Sequence, residues 1–262
     1  INPFEAVGNV SLQTHIDYVF SAFKASFIMY PPMPYVLEQA IYEIYEDCGW
    51  DIKTGINYYG KDIYPTIENL YYKIPVVIKN MGYDSRMQHD LNGSLQARIH
   101  SMRIGVKGDT LNVKKSYPLE ELLKRNVVVE LENIGDEDVK AFIISLLLVQ
   151  LSEIRMSQND SQNELRHLLL LEEAHRILKN IVGGTGENAD PRANAVEMFC
   201  NMLAELRSKG QGFVIIDQIP SKLAVDTIKN TNLKIVHRIV SEDDRTLIGN
   251  CMNMTNEQIA YL

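Results

Sequence analysis

With 262 residues, 45% of them hydrophobic and 23% charged, the chain can bury a large α/β core and is neither disordered nor fibrous in composition. A net charge of −8 argues against a surface that binds polyanions everywhere, so any phosphate contact must come from a local basic patch. Three well-separated cysteines (Cys48, Cys200, Cys251) argue against a disulfide framework and for a reducing, cytoplasmic setting, and no apolar run approaches the roughly 20 residues that cross a bilayer.

Taken in order, the first half of the chain predicts helices. After a short extended start (Ile1-Asn2-Pro3-Phe4-Glu5), residues 14–30 carry Ile16, Val19, Phe20, Phe23 and Phe27 at helical spacing. Pro31-Pro32-Met33-Pro34 breaks that helix. Pro34 sits well as the first residue of the next, which runs to Asp47 and stops at Gly49. Residues 50–65 predict a loop. Thr66 predicts a cap for a third helix that Pro75 should kink or end. Asp84 starts a fourth, with Met87, Leu91, Leu95, Ile99 and Met102 at intervals of three or four. A locally basic segment follows, with Arg98, Arg103, Lys107, Lys114 and Lys115. It could meet phosphates or a neighbouring subunit's acids, against the plainer reading of a solvated face.

From residue 126 the pattern becomes α/β. Strands are predicted at 126–131 (ending near Glu130), 167–172, 213–216 and 234–240. Between them lie a strongly apolar helix capped by Asp136, a turn over 157–164, a short helix over 174–181, a helix capped by Asp190 with Pro191 at its first position, and a helix over 221–229. Two capped helices close the chain, the second opened by the capping box Thr255-Asn256-Glu257-Gln258. Such alternation predicts a parallel sheet with crossover connections. The Gly183-Gly184-Thr185-Gly186 stretch reads as a loop and not as a phosphate cradle, since no Lys-Ser/Thr follows it and no strand directly precedes it.

The strand His167-Leu168-Leu169-Leu170-Leu171, closed by Glu172-Glu173-Ala174-His175, carries the chemistry. Four consecutive leucines predict a strand buried on both faces, and ligands of open α/β sheets bind beyond the carboxyl ends of such strands. Two acids there can divide the work of phosphate hydrolysis, one near Mg²⁺ and one positioning or deprotonating water. The plainer reading is an acidic turn. Gln218, ending the Phe213–Ile216 run, stands where a γ-phosphate sensor would sit.

The order Asn-Pro-Phe-Glu, hhhhGlu-Glu-Ala-His, Glu-Leu-Arg-Ser-Lys-Gly, hhhAsp-Gln-x-Pro-Ser and Asn-Thr-Asn-x-Lys-Ile-Val-His-Arg resembles the HerA family of hexameric motors in the FtsK–HerA group. The resemblance implies an α/β, RecA-like P-loop NTPase core with a mostly parallel sheet, built from residues 1–12 and 126–262, with 13–125 a helical insertion. It implies ATP and Mg²⁺ as cofactors, a homo-oligomeric (hexameric) ring, double-stranded DNA as the cargo, no membrane, and a NurA-like nuclease or a defence effector as partner. On this chain it assigns Glu172 to the metal side, Glu173 to catalysis, Gln218 to the sensor and Arg207 to a trans-acting arginine. Two departures stand out. The metal-side acid is Glu172 where the family often has Asp, and no Gly-x-x-x-x-Gly-Lys-Ser/Thr loop occurs in the sequence, so the Walker A loop is expected upstream of Ile1. A secretion or conjugation-type ATPase and a non-hydrolysing ring scaffold are the competing readings. The paired acids speak against the scaffold, which has no use for both.

Overall fold

The computed structural model describes residues 1–158, 164–181 and 191–262. Its Cα atoms form two compact units, Ile1–Asn159 and Asp160–Leu262.

The first unit is helical: α1 (Leu12–Ser26), α2 (Met33–Asp47), α3 (Ile67–Asn80), α4 (Ser85–Ser101), the short α5 (Gly105–Leu111) and α6 (Leu119–Leu122), and α7 (Glu137–Ser157), with a two-residue antiparallel ladder between β1 (Trp50–Asp51) and β2 (Ile56–Asn57). The caps follow local chemistry. Asp84 accepts from the N–H groups of Arg86 and Met87, and Asp136 from that of Val139. α1 ends at Ser26, short of the predicted Tyr30, because Phe27 turns extended and its N–H closes the helix on the Phe23 carbonyl. Pro75 does not end α3, which runs on to Asn80. A proline leaves the carbonyl four residues earlier without its helical donor, and here the Gln96 amide of α4 approaches that carbonyl, on Tyr71, at 3.4 Å.

The core of this unit joins α1 to α7 and α2 to α3 and α4, around Phe23, Phe142, Ile41 and Ile74. Two buried polar residues tie the opening segment of the chain to it. The Asn2 side chain, wholly buried, donates to the carbonyls of Pro65 (3.0 Å) and Lys114 (3.3 Å) and accepts from the Phe4 N–H. Glu153 on α7, also wholly buried, accepts from the Val7 N–H (3.0 Å) and lies 2.6 Å from Nδ1 of His15 on α1.

The second unit centres on β3 (His167–Glu172) and β4 (Gln211–Ile216), paired parallel in register from His167 opposite Gln211 to Glu172 opposite Ile216. Around them lie α8 (Pro191–Arg207), α9 (Val225–Asn230), α10 (Glu242–Cys251) and α11 (Asn256–Ile259), with 3-10 turns at Ala174–Arg176 and Pro220–Lys222. The helix predicted over 174–181 is confined to the first of these turns, and that predicted over 221–229 begins only at Val225. Thr255 and Gln258 form the expected capping box. Gly210 lets α8 turn into β4: its φ is +76°, and a Cβ there would lie 2.5 Å from the Glu164 carbonyl.

Three strand expectations are corrected. Residues 126–131, including Glu130, and 234–240 form no ladder among the described residues; Val128, Ile235 and Val240 are exposed instead. A strand needs a partner for its backbone groups, and an apolar run alone does not supply one. The β3 leucines are not buried on both faces: Leu168 and Leu170 are 47% and 57% exposed, since β4 is the one strand paired with them among the described residues. The Gly183–Gly186 loop, the Asp190 cap and most of the 157–164 turn lie outside the described residues.

Candidate active site at the carboxyl ends of two parallel strands

Because β3 and β4 run parallel in register, they finish at one level, and the residues that follow them come together. Glu172 is the last residue of β3 and is exposed, with no hydrogen-bond or ion-pair partner among the described residues. Glu173 leaves strand geometry altogether. Its φ of 52° and ψ of 44° place it in the left-handed region, one of two such non-glycine residues described, and the chain turns from it into Ala174–Arg176. This twist separates the two adjacent carboxylates. Glu173 becomes half-buried, and its Oε1 accepts from the Gln218 side-chain amide at 3.4 Å.

Two further residues complete the cluster, and neither received a role from the sequence. The Asp217 side chain, 3% exposed, accepts from the His175 N–H (2.9 Å) and from His175 Nδ1 (2.8 Å) on Oδ2, and from the Ile219 N–H (3.1 Å) on Oδ1. Burial pushes its carboxyl upward, but the donors of Ile219 and His175 outweigh that and hold it below the usual carboxylate range. The other ring nitrogen of His175, Nε2, stands 3.7 Å from Oε2 of Glu173. The sequence signal for both residues was their place in the motifs Glu-Glu-Ala-His and Asp-Gln.

The turns beyond the strands are sewn together. Asn180 donates its N–H to the Lys222 carbonyl (2.7 Å) and Ala224 to the Leu178 carbonyl (2.8 Å), flanking a bridge between Lys179 and Leu223. Arg207 is not in this cluster. It is the exposed last residue of α8, at the entrance to β4, and a six-residue strand separates it from Gln218, a run of about 20 Å.

Among the described residues no group of three or more His, Cys, Asp or Glu is arranged to hold a metal ion. The arrangement nonetheless suits Mg²⁺ bound together with phosphates, since that ion keeps most of its waters and takes only one or two protein carboxylates. Glu172, exposed and unpartnered, offers such an oxygen donor. In the first unit most of the expected basic segment is neutralised or capped locally. Arg103 grips Glu68 with two bonds of 2.6 Å and stacks over Tyr71, Lys107 pairs with Asp136 at 3.2 Å, and Arg98 donates to the Ser94 carbonyl. Lys114 and Lys115 remain exposed. No described helix is long and apolar enough to cross a membrane.

No family model matches the sequence, and no curated protein matches it. Among solved structures, VirB4 of Thermoanaerobacter pseudethanolicus is similar, with a TM-score of 0.63 at 16% identity, over 99% of this chain and 67% of that one. At that identity the likeness is one of fold, and the described architecture is mixed helix and strand with a parallel pair, a coarse α/β arrangement.

Proposed function

We propose that the chain is the acid-and-sensor part of a ring ATPase that translocates or unwinds double-stranded DNA in the manner of HerA motors. The observation that carries this reading is the meeting of the Glu173 carboxylate with the Gln218 amide beyond two aligned parallel strands. Ligands of open α/β sheets bind there, and the pair can hold a water on one side and sense a phosphoryl oxygen on the other. The fold-level likeness to VirB4 agrees with a P-loop ATPase relationship. RecA-like core segments at 1–12 and 126–262, with 13–125 as insertion, remain part of this reading.

In this role Glu173 would orient and deprotonate the attacking water, Gln218 would contact the γ-phosphate, and Glu172 would hold Mg²⁺ through its exposed carboxylate. Mg²⁺, when bound, neutralises charge on the phosphoryl oxygens. Arg207, too far along β4 to serve its own site, acts on the site of the next subunit. A Walker A loop from outside these 262 residues supplies the phosphate cradle. The VirB4 likeness is equally compatible with a secretion or conjugation-type motor; double-stranded DNA that stimulates turnover favours the HerA-type reading, and indifference to DNA favours the other.

The test uses the full-length protein. Glu173→Gln keeps size and hydrogen bonding but removes the base. It should leave ATP binding intact and lower turnover by about 100-fold or more, as for loss of a general base. Arg207→Ala should be equally inactive, because an arginine finger is worth about 10³–10⁵ in turnover. Mixed rings of the two variants contain some interfaces where an intact Glu173 meets an intact Arg207, and activity should return there. Turnover of Glu173→Gln within a few-fold of wild type would reject the assignment of the site. Mixing without recovery would reject the trans role of Arg207.

A further inference from the structure

We propose that His175, locked by Asp217, is a positioning residue that holds the Glu173 carboxylate in place; the inference rests on the reading of Glu173 as the catalytic acid. Three observations lead to it. First, one oxygen of Asp217 accepts from both the backbone N–H and the ring Nδ1 of His175, at 2.9 and 2.8 Å. Two bonds from one residue to one atom fix the ring as well as the chain that carries it. Second, the carboxylate doing this is almost inaccessible and has its other oxygen engaged by the Ile219 N–H, so it does not turn away. Third, the edge of the ring that Asp217 does not use, Nε2, faces Oε2 of Glu173 at 3.7 Å, while Gln218 contacts Oε1 from β4.

A gap of 3.7 Å leaves no room for an intervening water, since a water bridging two groups at ordinary hydrogen-bond lengths and a near-tetrahedral angle holds them about 4.5 Å apart. The imidazole edge therefore forms a wall on one side of the Glu173 carboxylate, and the Gln218 amide stands on the other. A glutamate has three side-chain torsions and would otherwise sweep a wide arc. Acid and water must be held closely for proton transfer, and a misplacement of about 1 Å can cost about 10²-fold in rate. A buried carboxylate that orients a histidine through one ring nitrogen so that the other is aimed correctly is a familiar supporting arrangement around metal-bound histidines; here the object aimed at is a carboxylate.

The alternative is that His175 merely staples the two turns together through Asp217. Its two ring nitrogens separate the cases. Asparagine places an amide near Nδ1 and can keep the Asp217 bond but does not reach Glu173. Glutamine reaches the height of Nε2. Positioning predicts that in the full-length protein His175→Asn lowers kcat about 10-fold or more with nucleotide affinity unchanged, and that His175→Gln recovers most of the loss. His175→Asn within two-fold of wild type, or His175→Gln worse than His175→Asn, would overturn the proposal. Glu173→Gln in the same assay separates the two levels. If it still hydrolyses ATP, the reading of the site fails and this inference with it; if it is inactive while His175→Asn is active, this inference alone fails. A second readout needs no nucleotide. In protein carrying ¹⁵N-histidine, His175 should show a protonated Nδ1, and its Nε2 resonance should shift on Glu173→Gln while that of His167 stays in place. An unmoved His175 Nε2 would also overturn the proposal.

Discussion

The left-handed backbone at Glu173 predicts that the residue is held there at the expense of stability. A non-glycine residue in that region costs about 1–2 kcal/mol, and the position has φ 52° and ψ 44°. Replacing Glu173 by Gly removes the clash of Cβ with the backbone, while greater freedom of glycine in the unfolded chain takes back about 0.4–1 kcal/mol. The side-chain contacts forfeited, to Gln218 at 3.4 Å and His175 at 3.7 Å, are partly exposed and screened by solvent, and are worth within about 0.5 kcal/mol. Glu173→Ala loses the same contacts but keeps the strain. Glu173→Gly should therefore be more stable than Glu173→Ala by about 0.5–1 kcal/mol, while both are inactive. For a unit the size of Asp160–Leu262 that is a few degrees in Tm. Far-UV circular dichroism during urea unfolding measures the difference. The one tryptophan, Trp50, lies in the other unit, so its fluorescence transition should be the same in both variants. Glu173→Gly less stable than Glu173→Ala would refute the reasoning, because the left-handed backbone would then not be a burden.

The buried Glu153 should be a structural keystone of the first unit: Glu153→Ala leaves the Val7 N–H and His15 Nδ1 without their acceptor, and should cost about 3–5 kcal/mol by Trp50 fluorescence in urea, a loss under about 1 kcal/mol counting against it. Asp217 predicts a pH dependence. Its carboxyl is held low in the folded state, so the stability it contributes is present above the unfolded value near 3.9 and is lost as pH falls through the lower folded one. The gap between wild type and Asp217→Asn should be constant from about pH 5 upward and close on acidification; a gap that widens in acid would contradict this. If the motor grips DNA through the basic segment, the exposed Lys114 and Lys115 make the contact. Replacing both with Ala should make the slope of log affinity against log salt shallower by about 2, and an unchanged slope returns them to the solvated face.

Legibility in the sequence divides along the range of the interactions. Helices whose signals are local were readable: Asp84, Asp136 and Thr255 cap where their side chains predict, and the apolar spacing of residues 16–23 and 139–154 marks the buried faces. Where a distant partner decides, the local rule was incomplete. Pro75 does not end its helix, because Gln96, twenty-one positions on, approaches the carbonyl that the ring leaves without a donor. Apolar β-branched runs at 126–131 and 234–240 read as strands, yet a ladder is a property of two segments and neither run forms one among the described residues. The site divides in the same way. Glu173 and Gln218 do meet, because a strand's last residue and its direction can be read from composition. The roles of His175 and Asp217 were hidden, since they depend on a left-handed turn at Glu173 that nothing in a glutamate announces. Asn2, part of a motif on which the family resemblance rested, has a structural task instead: its buried amide joins residues 65 and 114 to the opening segment.

The sheet sets the register of this cluster but does not by itself make it rigid. Two strands with exposed leucines are a weak scaffold, and two-stranded ribbons are marginal by themselves. The rigidity comes from beyond the strand ends, where the chain leaving β3 and the chain leaving β4 exchange backbone hydrogen bonds at Leu178, Asn180, Lys222 and Ala224. The second of these turns is in turn pinned from outside, because the buried Asp244 of α10 accepts the Ser221 N–H at 2.8 Å. Asp217 then adds a side-chain tie at the level of the site. Apart from the Asp244 bond, these contacts join the acidic turn to the sensor turn directly. A displacement of Gln218 would therefore carry His175 and Glu173 with it, and under the proposed function that makes the acid and the sensor one mechanical element. The proposed hydrolysis calls for such coupling, since a change felt at the phosphate would have to be felt at the water.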